Sequence, residues 1–405
     1  MGFCFGILLL AMFQSTIAGF TGFSYTDESI VLFLGMHFLV ALVTRRYRFL
    51  KHEKSMLAAV FLFYLIGTLS TVWNNYQKDV LYGLFSGIFS AKAFIAYFGM
   101  RSVSAKKKIT KKRLELYLWL FKTLLTVSAV LLILNQFFTI FELGGSRFGI
   151  KTTSFIFEHA TEVGCYGIVS LLMCISLEDH LKRKDPFWIS YIAAWIVVLA
   201  GGRYKAVAFI VLFISLRIGL PLIKKFRLRY TIFCVPAVWA VAGEQIRYYF
   251  CDKTTSRGAL YYHAFKIAGE HFPLGSGFAT YGTEFSRRRY SPLYRRYGMD
   301  TIYGLSESYP SYIADTMWPP ILGETGWFGF ASLLFFFVEL FGMLSTVIKN
   351  KVDGLVLYGI VIYILFESIG DSIFMSSRGV TLFIALAVMI KLNGRRDILD
   401  GEKNT

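Results

Sequence analysis

The stretch Asp315-Thr-Met-Trp-Pro-Pro-Ile-Leu-Gly-Glu-Thr-Gly-Trp-Phe-Gly329 marks the point where a long polar loop gives way to an apolar segment. Upstream of it, residues 244–319 are rich in tyrosine and arginine and interrupt an almost continuous series of apolar runs. A membrane protein needs only short connections to turn its helices around, so a loop of this length indicates a function at the membrane surface. We therefore look for the functional site in or near this loop.

The composition predicts an integral membrane protein. Of 405 residues, 55% are hydrophobic, with 40 Phe and 24 Tyr, which is more apolar surface than one soluble core can bury. The net charge of +17 would suit a nucleic-acid binder, but the cations lie in short clusters between apolar runs rather than on one soluble face. The five cysteines show no CxxC motif and no even spacing, so neither a disulfide framework nor a zinc site is predicted.

The apolar runs predict one all-α transmembrane domain, residues 1–405, with about twelve spans, several of them at or below the usual length of about 20 residues. Residues 244–319 form a large external loop between the ninth and tenth spans. The predicted spans are 3–23, 28–44, 56–73, 79–99, 114–138, 161–177, 187–202, 206–222, 230–243, 320–346, 354–372 and 378–391.

The distribution of cations predicts the orientation. Of the 43 lysines and arginines, 25 lie in six clusters that alternate with the apolar runs, and such loops face the cytoplasm. Both termini are then cytoplasmic, and the long loop is external. The six clusters are at 45–54, 101–113, 182–184, 224–229, 349–351 and 391–403.

Three predicted outer segments carry the candidate residues. The first precedes the sixth span and contains Arg147 and His159. The second is Gly201-Gly-Arg203-Tyr-Lys205, where two glycines allow a tight turn and leave a guanidinium at the water boundary. The third is the long loop, with Arg257, the turn Pro273-Leu-Gly275-Ser-Gly277 and the stretch 315–329. We expect all three segments to meet on one side of the membrane.

In this order the motifs resemble those of bacterial O-antigen and capsular polysaccharide polymerases of the Wzy type, which share a superfamily with the O-antigen ligases. The resemblance covers about half of the chain. This sequence departs from the pattern at Gly202, where the family often has serine, and at Asp315, where the ligases have histidine. The motifs are Arg147-x-Gly…Phe157-x-His159, Gly202-Arg203-x-x-Ala, Arg257…Pro273-Leu-Gly275-x-Gly277 and Gly323-Glu-Thr-Gly326-x-x-Gly329.

The resemblance implies a GT-C-like membrane glycosyltransferase that needs no metal or other cofactor. Its substrate would be a glycan linked to undecaprenyl pyrophosphate, used on the outer face of the bacterial cytoplasmic membrane. Membrane lipid, a chain-length regulator and a flippase of the same pathway are the implied partners, and no nucleic acid is expected.

The chemistry of such a reaction gives an independent reason for the arginines. Breaking a bond between a sugar and pyrophosphate builds negative charge on the departing group, so fixed cations should bind it more strongly as the bond breaks. Arginine suits this task because its fork pairs with two phosphate oxygens and keeps its proton. The Asp-x-Asp motif of metal-dependent, nucleotide-sugar enzymes is not found in the sequence.

Each candidate residue also has a simpler interpretation. Arg203, Arg257, Arg147 and Lys205 either bind pyrophosphate and glycan or are solvated anchors at the membrane surface. His159 is either catalytic or an ordinary interfacial histidine. We predict further substrate contacts at Gly275, Gly277 and Trp318.

Four carboxylates and two groups of loop residues complete the predictions. Asp315 is either a general base for the acceptor hydroxyl or the cap of the following helix. Glu324 is predicted near the start of a span, as a catalytic group or, preferably, in an ion pair with an arginine, because an unpaired carboxylate is costly there. Glu367 and Asp371 are expected to pair in the same way. Tyr303, Tyr309 and Tyr312 could stack on sugars, and Arg287, Arg288, Arg289, Arg295 and Arg296 either meet headgroups or acidic glycan or form a solvated basic face.

Three functions are consistent with these residues. The first is a polymerase that joins lipid-linked repeat units into O-antigen, capsular or exopolysaccharide. The second is a ligase that transfers a finished glycan to another acceptor, which Asp315 in the histidine position disfavours. The third is a flippase or transporter of lipid-linked oligosaccharide, for which we would expect charge along a path through the membrane and two related halves.

Overall fold

The computed structural model of the protein describes residues 1–103, 110–182, 188–219 and 252–394. The described chain is mostly α-helical, with one small antiparallel hairpin formed by β1 (Leu143–Arg147) and β2 (Ile150–Thr153). Short 3-10 turns occupy Met299–Thr301 and Ile373–Met375. The helices are α1 (Gly2–Met12), α2 (Gln14–Thr21), α3 (Thr26–Val43), α4 (Glu53–Asn74), α5 (Val80–Ser90), α6 (Lys92–Ser102), α7 (Lys111–Phe138), α8 (Ala160–Leu181), α9 (Trp188–Gly201), α10 (Tyr204–Gly219), α11 (Ser256–Glu270), α12 (Glu284–Arg288), α13 (Pro292–Arg296), α14 (Trp318–Val347), α15 (Lys351–Ser368) and α16 (Ser377–Asn393).

Five of the described helices are long and apolar enough to cross a membrane: α3, α4, α7, α8 and α14. The number rises to seven if two bent pairs each form one span, α1 with α2 at 64° and α5 with α6 at 52°. The predicted count of twelve is therefore not reproduced. The membrane class is supported, and large apolar side chains such as Val43, Trp73 and Phe137 are exposed on α3, α4 and α7, where lipid would cover them.

The other predicted spans are shorter or more charged in the described residues. Helix α16 has 17 residues, and the described parts of α9 and α10, each next to residues outside the described ranges, have 14 and 16. Helix α15 is longer but carries Lys351, Asp353 and Glu367 within its 18 residues. The predicted span 230–243 lies outside the described residues.

The helices pack around a shared apolar core. Helix α4 lies along α14, α6 lies between α3 and α16, and α8 packs on α7 and α9. At the centre, the ring of Phe94 meets Phe336 at 4.8 Å and Phe374 at 5.3 Å between centroids, and all three side chains are buried. Such aromatic contacts add to the apolar burial that holds the bundle together.

Two ion pairs connect helices of the bundle. Arg101 Nε donates to Glu53 Oε1 at 2.9 Å, with Glu53 at the start of α4 and Arg101 at the end of α6. Lys122 Nζ lies 2.7 Å from Glu178 Oε1, in the last turns of α8. Pairing reduces the cost of removing these charges from water.

The described part of the long loop, residues 252–317, folds into α11, α12 and α13 with a small core of its own. The sequence analysis did not predict this core. Tyr281 is fully buried in it, and its hydroxyl donates to the carbonyl of Leu260 at 2.6 Å. The loop is thus a compact folded unit packed on α14. Its buried apolar residues include Ile267, Leu293, Met299, Leu305 and Ile313.

The predicted turn at 273–277 fits into a break in α14. Gly326 has φ 63° and ψ −166°, so the helix is interrupted there, and Gly277 N donates to the carbonyl of Glu324 at 2.8 Å. Gly275 has φ +78°, and a Cβ atom on it would lie 2.3 Å from Gly326 N. Since both glycines are needed for this close backbone contact, their role here is packing the loop onto the helix.

Candidate functional site

The first and second predicted segments meet at the turn between α9 and α10. Gly202 has φ +61°, and a Cβ atom there would lie 2.1 Å from Cγ2 of Thr152 in β2. This geometry favours glycine over the serine expected from the family. Arg147 Nη1 donates to the carbonyl of Gly202 at 3.1 Å, and its guanidinium lies 5.8 Å from the ring centre of Tyr204.

The third segment contributes an ion pair between Arg257 and Asp315. Arg257 lies in the first turn of α11, which is capped by Thr255 through its hydroxyl and Gly258 N. Its Nη2 atom donates to Asp315 Oδ2 at 2.8 Å, and both side chains are partly exposed. The residue that flanks the start of α14 is Met317, with no side-chain cap. The interpretation of Asp315 as a helix cap is therefore wrong.

A second charged network joins α10, α15 and α16. Lys205 Nζ lies 3.2 Å from Glu367 Oε2. Arg378 Nη1 lies 3.1 Å from the same oxygen, and Arg378 Nη2 contacts Asp371 Oδ2. The prediction that Glu367 and Asp371 pair with cations is confirmed, but Arg378 was not singled out from the sequence. A sequence signal for Arg378 did exist: it is a cation at the start of the last predicted span, a few residues after Glu367 and Asp371.

The two networks belong to one cluster with an excess of positive charge. Burial raises the pKa of the Asp315 carboxyl above its ordinary value, while the charges of Arg257 and, more weakly, Lys205 oppose this shift. Counting only the residues that the structure describes, five cations face three carboxylates, an excess of two positive charges. The cations are Arg147, Arg203, Lys205, Arg257 and Arg378, and the carboxylates are Asp315, Glu367 and Asp371.

Among the five cations of the cluster, Arg203 has the positive charge that neighbouring groups compensate least. Burial, followed by the charges of Arg147 and Arg378, lowers the pKa of Arg203 below its ordinary value. Within the described ranges, its side chain makes no hydrogen bond or salt bridge. A half-buried guanidinium with several free donors is a suitable ligand for an anion.

Hydrogen bonds between the segment that precedes α14 and the segment around the end of α15 hold this cluster in place. Ser372 Oγ donates to the carbonyls of Ala314 at 2.5 Å and Thr316 at 3.1 Å, on either side of Asp315. Trp318 Nε1 donates to Ser368 Oγ at 3.0 Å, next to Glu367. Trp318 thus connects the start of α14, close to Asp315, with the end of α15, which carries Glu367. Contact between Trp318 and the substrate stays a prediction.

Three exposed tyrosines lie beside the Arg257–Asp315 pair. The ring of Tyr303 is 5.0 Å from that of Tyr309 and 6.0 Å from that of Tyr312. The neighbour of Arg257, Ser256, donates through Oγ to the carbonyl of Tyr303 at 2.5 Å. Aromatic rings at this position offer apolar faces next to the charged site.

Other predicted site residues lie elsewhere. The Glu324 carboxylate accepts hydrogen bonds from Thr280 N at 2.9 Å and Tyr281 N at 3.0 Å, so the interpretation of Glu324 as an ion-pair partner of an arginine is wrong. Backbone donors satisfy it inside the junction that also contains Gly275 and Gly277. His159 is exposed at the start of α8, with Nε2 3.9 Å from Glu158 Oε1, and lies outside the charged cluster.

Every arginine in the described part of the long loop, residues 252–317, is paired with a carboxylate. Arg289 bonds Asp79 at 2.6 Å and Arg296 bonds Glu270 at 3.2 Å. These exposed pairs connect parts of the loop to each other and to the start of α5, and each is worth little by itself. The remaining pairs are Arg287 and Arg288 with Glu284, and Arg295 with Glu307.

The described residues contain no group of three or more His, Cys, Asp or Glu side chains arranged to hold a metal ion. Comparison with known proteins gives no match, either to a family model or to a curated sequence. The resemblance to the polymerases therefore remains a prediction carried by the motifs.

Proposed function

We propose that this protein is a membrane glycosyltransferase that polymerises oligosaccharide repeat units carried on undecaprenyl pyrophosphate. The observation that carries the proposal is the cationic cluster around Arg203, where five cations outnumber three carboxylates within the described part of the chain. A pyrophosphate brings the negative charge that this cluster lacks. We place the cluster at the outer face of the bacterial cytoplasmic membrane, with both termini cytoplasmic, in accord with the distribution of cations in the sequence.

In the proposed reaction, Arg203 and Arg257 bind the pyrophosphate of the donor. A hydroxyl at the nonreducing end of the incoming repeat attacks the anomeric carbon of the growing chain. The bond between that carbon and the phosphate oxygen breaks, and the lipid pyrophosphate leaves with the bonding electrons. Asp315 takes the proton from the attacking hydroxyl. The arginines lower the barrier because the charge on the leaving group is largest after the bond has begun to break.

The position of the three tyrosines supports a glycan substrate. Tyr303, Tyr309 and Tyr312 are exposed next to Arg257, so a sugar attached to a pyrophosphate on Arg257 would lie within reach of their rings. The apolar faces of sugars stack on aromatic side chains, whereas a simple phosphate substrate would gain nothing from them.

The alternatives differ from this proposal in specific ways. A ligase would use the same cationic cluster and a different acceptor, so the cluster alone does not separate the two. A flippase would need charged groups along a path through the membrane. Among the described residues, the ion pair Glu53–Arg101 lies where α4 begins and α6 ends, which gives no support to such a path.

Surface glycan from a strain that lacks the gene distinguishes the three functions. We expect glycan with a single repeat unit on a gel, restored to a long ladder by the wild-type gene. Full-length polymer that remains on its carrier would identify a ligase instead. Lipid-linked repeats retained on the cytoplasmic side would identify a flippase.

A further inference from the structure

A polar groove lies near Arg378, on the side away from the other members of the cationic cluster. It has a volume of about 780 Å³ and is bordered by both broken helices, at the start of α2 and the start of α6. The break between α1 and α2 at Phe13 and the break at Ala91 thus open onto the same space. Serine and threonine hydroxyls are frequent in its walls: Ser15, Thr16, Ser24, Thr26, Ser376 and Ser377.

The charge of this groove is opposite to that of the arginine cluster. The carboxylates of Asp27, Glu158 and Glu162 line it, together with Lys92 and His159. Lys92 is already paired with Asp27 and lies 2.7 Å from Glu28 Oε1. Several helices begin at the groove, and helix N-termini attract anions, but the carboxylates outweigh this effect. The groove therefore disfavours a phosphate group.

Gln14 indicates which kind of ligand the groove accepts. Its side chain is 6% exposed, and Nε2 donates to the carbonyl of Ser377 at 2.7 Å. That bond fixes the amide orientation, and Oε1 has no hydrogen-bond donor among the described residues. A buried acceptor without a donor is costly, and the missing partner is an O–H or N–H group.

The groove is connected to the cationic cluster through shared walls. A small cavity between them is lined by Gln14, Glu162 and Arg378. Arg378 faces Glu367 and Asp371 on its other side. A molecule that fills the groove therefore ends next to the network that holds the proposed leaving group.

We propose that this groove binds the acceptor glycan as a neutral or amino-sugar oligosaccharide, through hydroxyl groups donated to Gln14 and to the carboxylates. The identity of the ligand as an acceptor glycan rests on the proposed function. Its binding to the groove does not depend on catalysis. Phe20, which is exposed at the groove, offers apolar surface for the C–H faces of the sugars.

A pair of glycine substitutions tests the groove directly. Gly19 lines the groove in α2, and a Cβ atom there would meet nothing within 4 Å. Gly19→Phe fills the groove without a clash in the packing. Gly6→Phe is the matched control, because Gly6 is also a helical glycine with nothing within 4 Å and does not line the groove.

The probe is the repeat oligosaccharide released from its lipid by mild acid and labelled at the reducing end with a fluorophore. Binding is measured by fluorescence anisotropy with the full chain in phospholipid nanodiscs. We expect the dissociation constant to rise at least about tenfold in Gly19→Phe and to change less than about twofold in Gly6→Phe. Gln14→Leu should also weaken binding, whereas a merely structural Gln14 would leave it unchanged.

Three results would overturn the inference. They are wild-type protein that does not bind the oligosaccharide, Gly19→Phe that binds it normally, and displacement of the oligosaccharide by inorganic pyrophosphate. Failure of the proposed function has a different signature. If Arg203→Ala still polymerises while Gly19→Phe loses oligosaccharide binding, the groove stands and the assignment of the arginine cluster falls.

Discussion

Arg257 Nη2 lies 2.8 Å from Asp315 Oδ2, so the proposed pyrophosphate ligand and the proposed base are bonded to each other. A pyrophosphate that binds Arg257 weakens this bond and adds negative charge nearby. Both effects favour the protonated carboxyl, and they add to the burial that already raises the pKa of Asp315. Donor binding should therefore make Asp315 a stronger base before the acceptor hydroxyl loses its proton.

This coupling predicts a specific pH dependence. A base must be ionised to act, so the rate falls as pH drops through its pKa. The pKa of Asp315 lies above its ordinary value of 3.8. The acidic limb of kcat/KM should therefore also lie above pH 3.8, because kcat/KM reports the free enzyme. The acidic limb of kcat, which reports the enzyme with donor bound, should lie at higher pH than the limb of kcat/KM. Polymerisation by purified protein between pH 4 and 8 measures both, and limbs at the same pH would contradict the coupling.

Asp315→Asn separates a base from a residue that only positions Arg257. The amide keeps the shape and the hydrogen-bonding capacity but loses basicity, so we expect turnover to fall about 100-fold or more with donor binding little changed. The acidic limb of the pH profile should also disappear. A near-normal rate with an unchanged profile would exclude the base role and leave Asp315 as the ion-pair partner of Arg257.

Arg203→Ala should abolish long-chain glycan in cells while the protein remains inserted. Arg203→Lys should stay strongly impaired, because one point charge replaces a fork that pairs with two phosphate oxygens. Arg288→Ala is the matched control, since that arginine is exposed and paired within the loop. Glycan ladders and membrane immunoblots measure the outcome. A normal ladder from stably expressed Arg203→Ala would refute the assignment.

The sequence analysis predicted the cluster better than the membrane architecture. Arg147, Arg203 and Arg257 could be found because arginine close to glycine, in a turn predicted to be external, is a local pattern. Arg378 was missed because its role depends on Glu367 and Asp371, which approach it only after α15 and α16 pack together. A pattern within one segment cannot show which of several outer cations is brought into a shared site.

The errors in span count and in the role of Glu324 have a similar origin. Hydropathy detects an apolar run but not a bend, so the runs at 3–23 and 79–99 appeared as straight spans although each is broken. Glu324 was expected to need a cation. Backbone donors from Thr280 and Tyr281 satisfy it instead, and these donors become available only because Gly326 interrupts α14.

The Arg378 network should be important for stability. Arg378→Met removes one of the two cations that pair with buried Glu367 and leaves only Lys205, so we expect a loss of up to about 3–5 kcal/mol. Adding Glu367→Gln should recover part of that loss because the poorly compensated charge is removed. Thermal unfolding in detergent at pH 7 measures both variants. Equal unfolding temperatures for Arg378→Met and wild type would contradict the paired arrangement at α16.

The junction between the long loop and α14 predicts a contrast between two glycines. Gly275→Ala would place Cβ 2.3 Å from Gly326 N at a φ of +78°, so we expect a large drop in unfolding temperature. Gly269→Ala, in α11 with nothing within 4 Å, should be neutral or gain up to about 1 kcal/mol from helix propensity. A stable Gly275→Ala protein would mean that the turn does not insert into the break of α14.

Orientation of the chain decides whether the cluster can meet a lipid-linked substrate outside the cell. We expect Ser308→Cys, exposed in the long loop, to react with a membrane-impermeant maleimide on intact cells, in a background without native cysteines. Lys51→Cys, exposed between α3 and α4, should react only after the membrane is permeabilised, because its loop carries the cations that mark a cytoplasmic segment. The reverse pattern would place the cationic cluster in the cytoplasm, where the proposed donor is not used, and the proposed function would have to be abandoned.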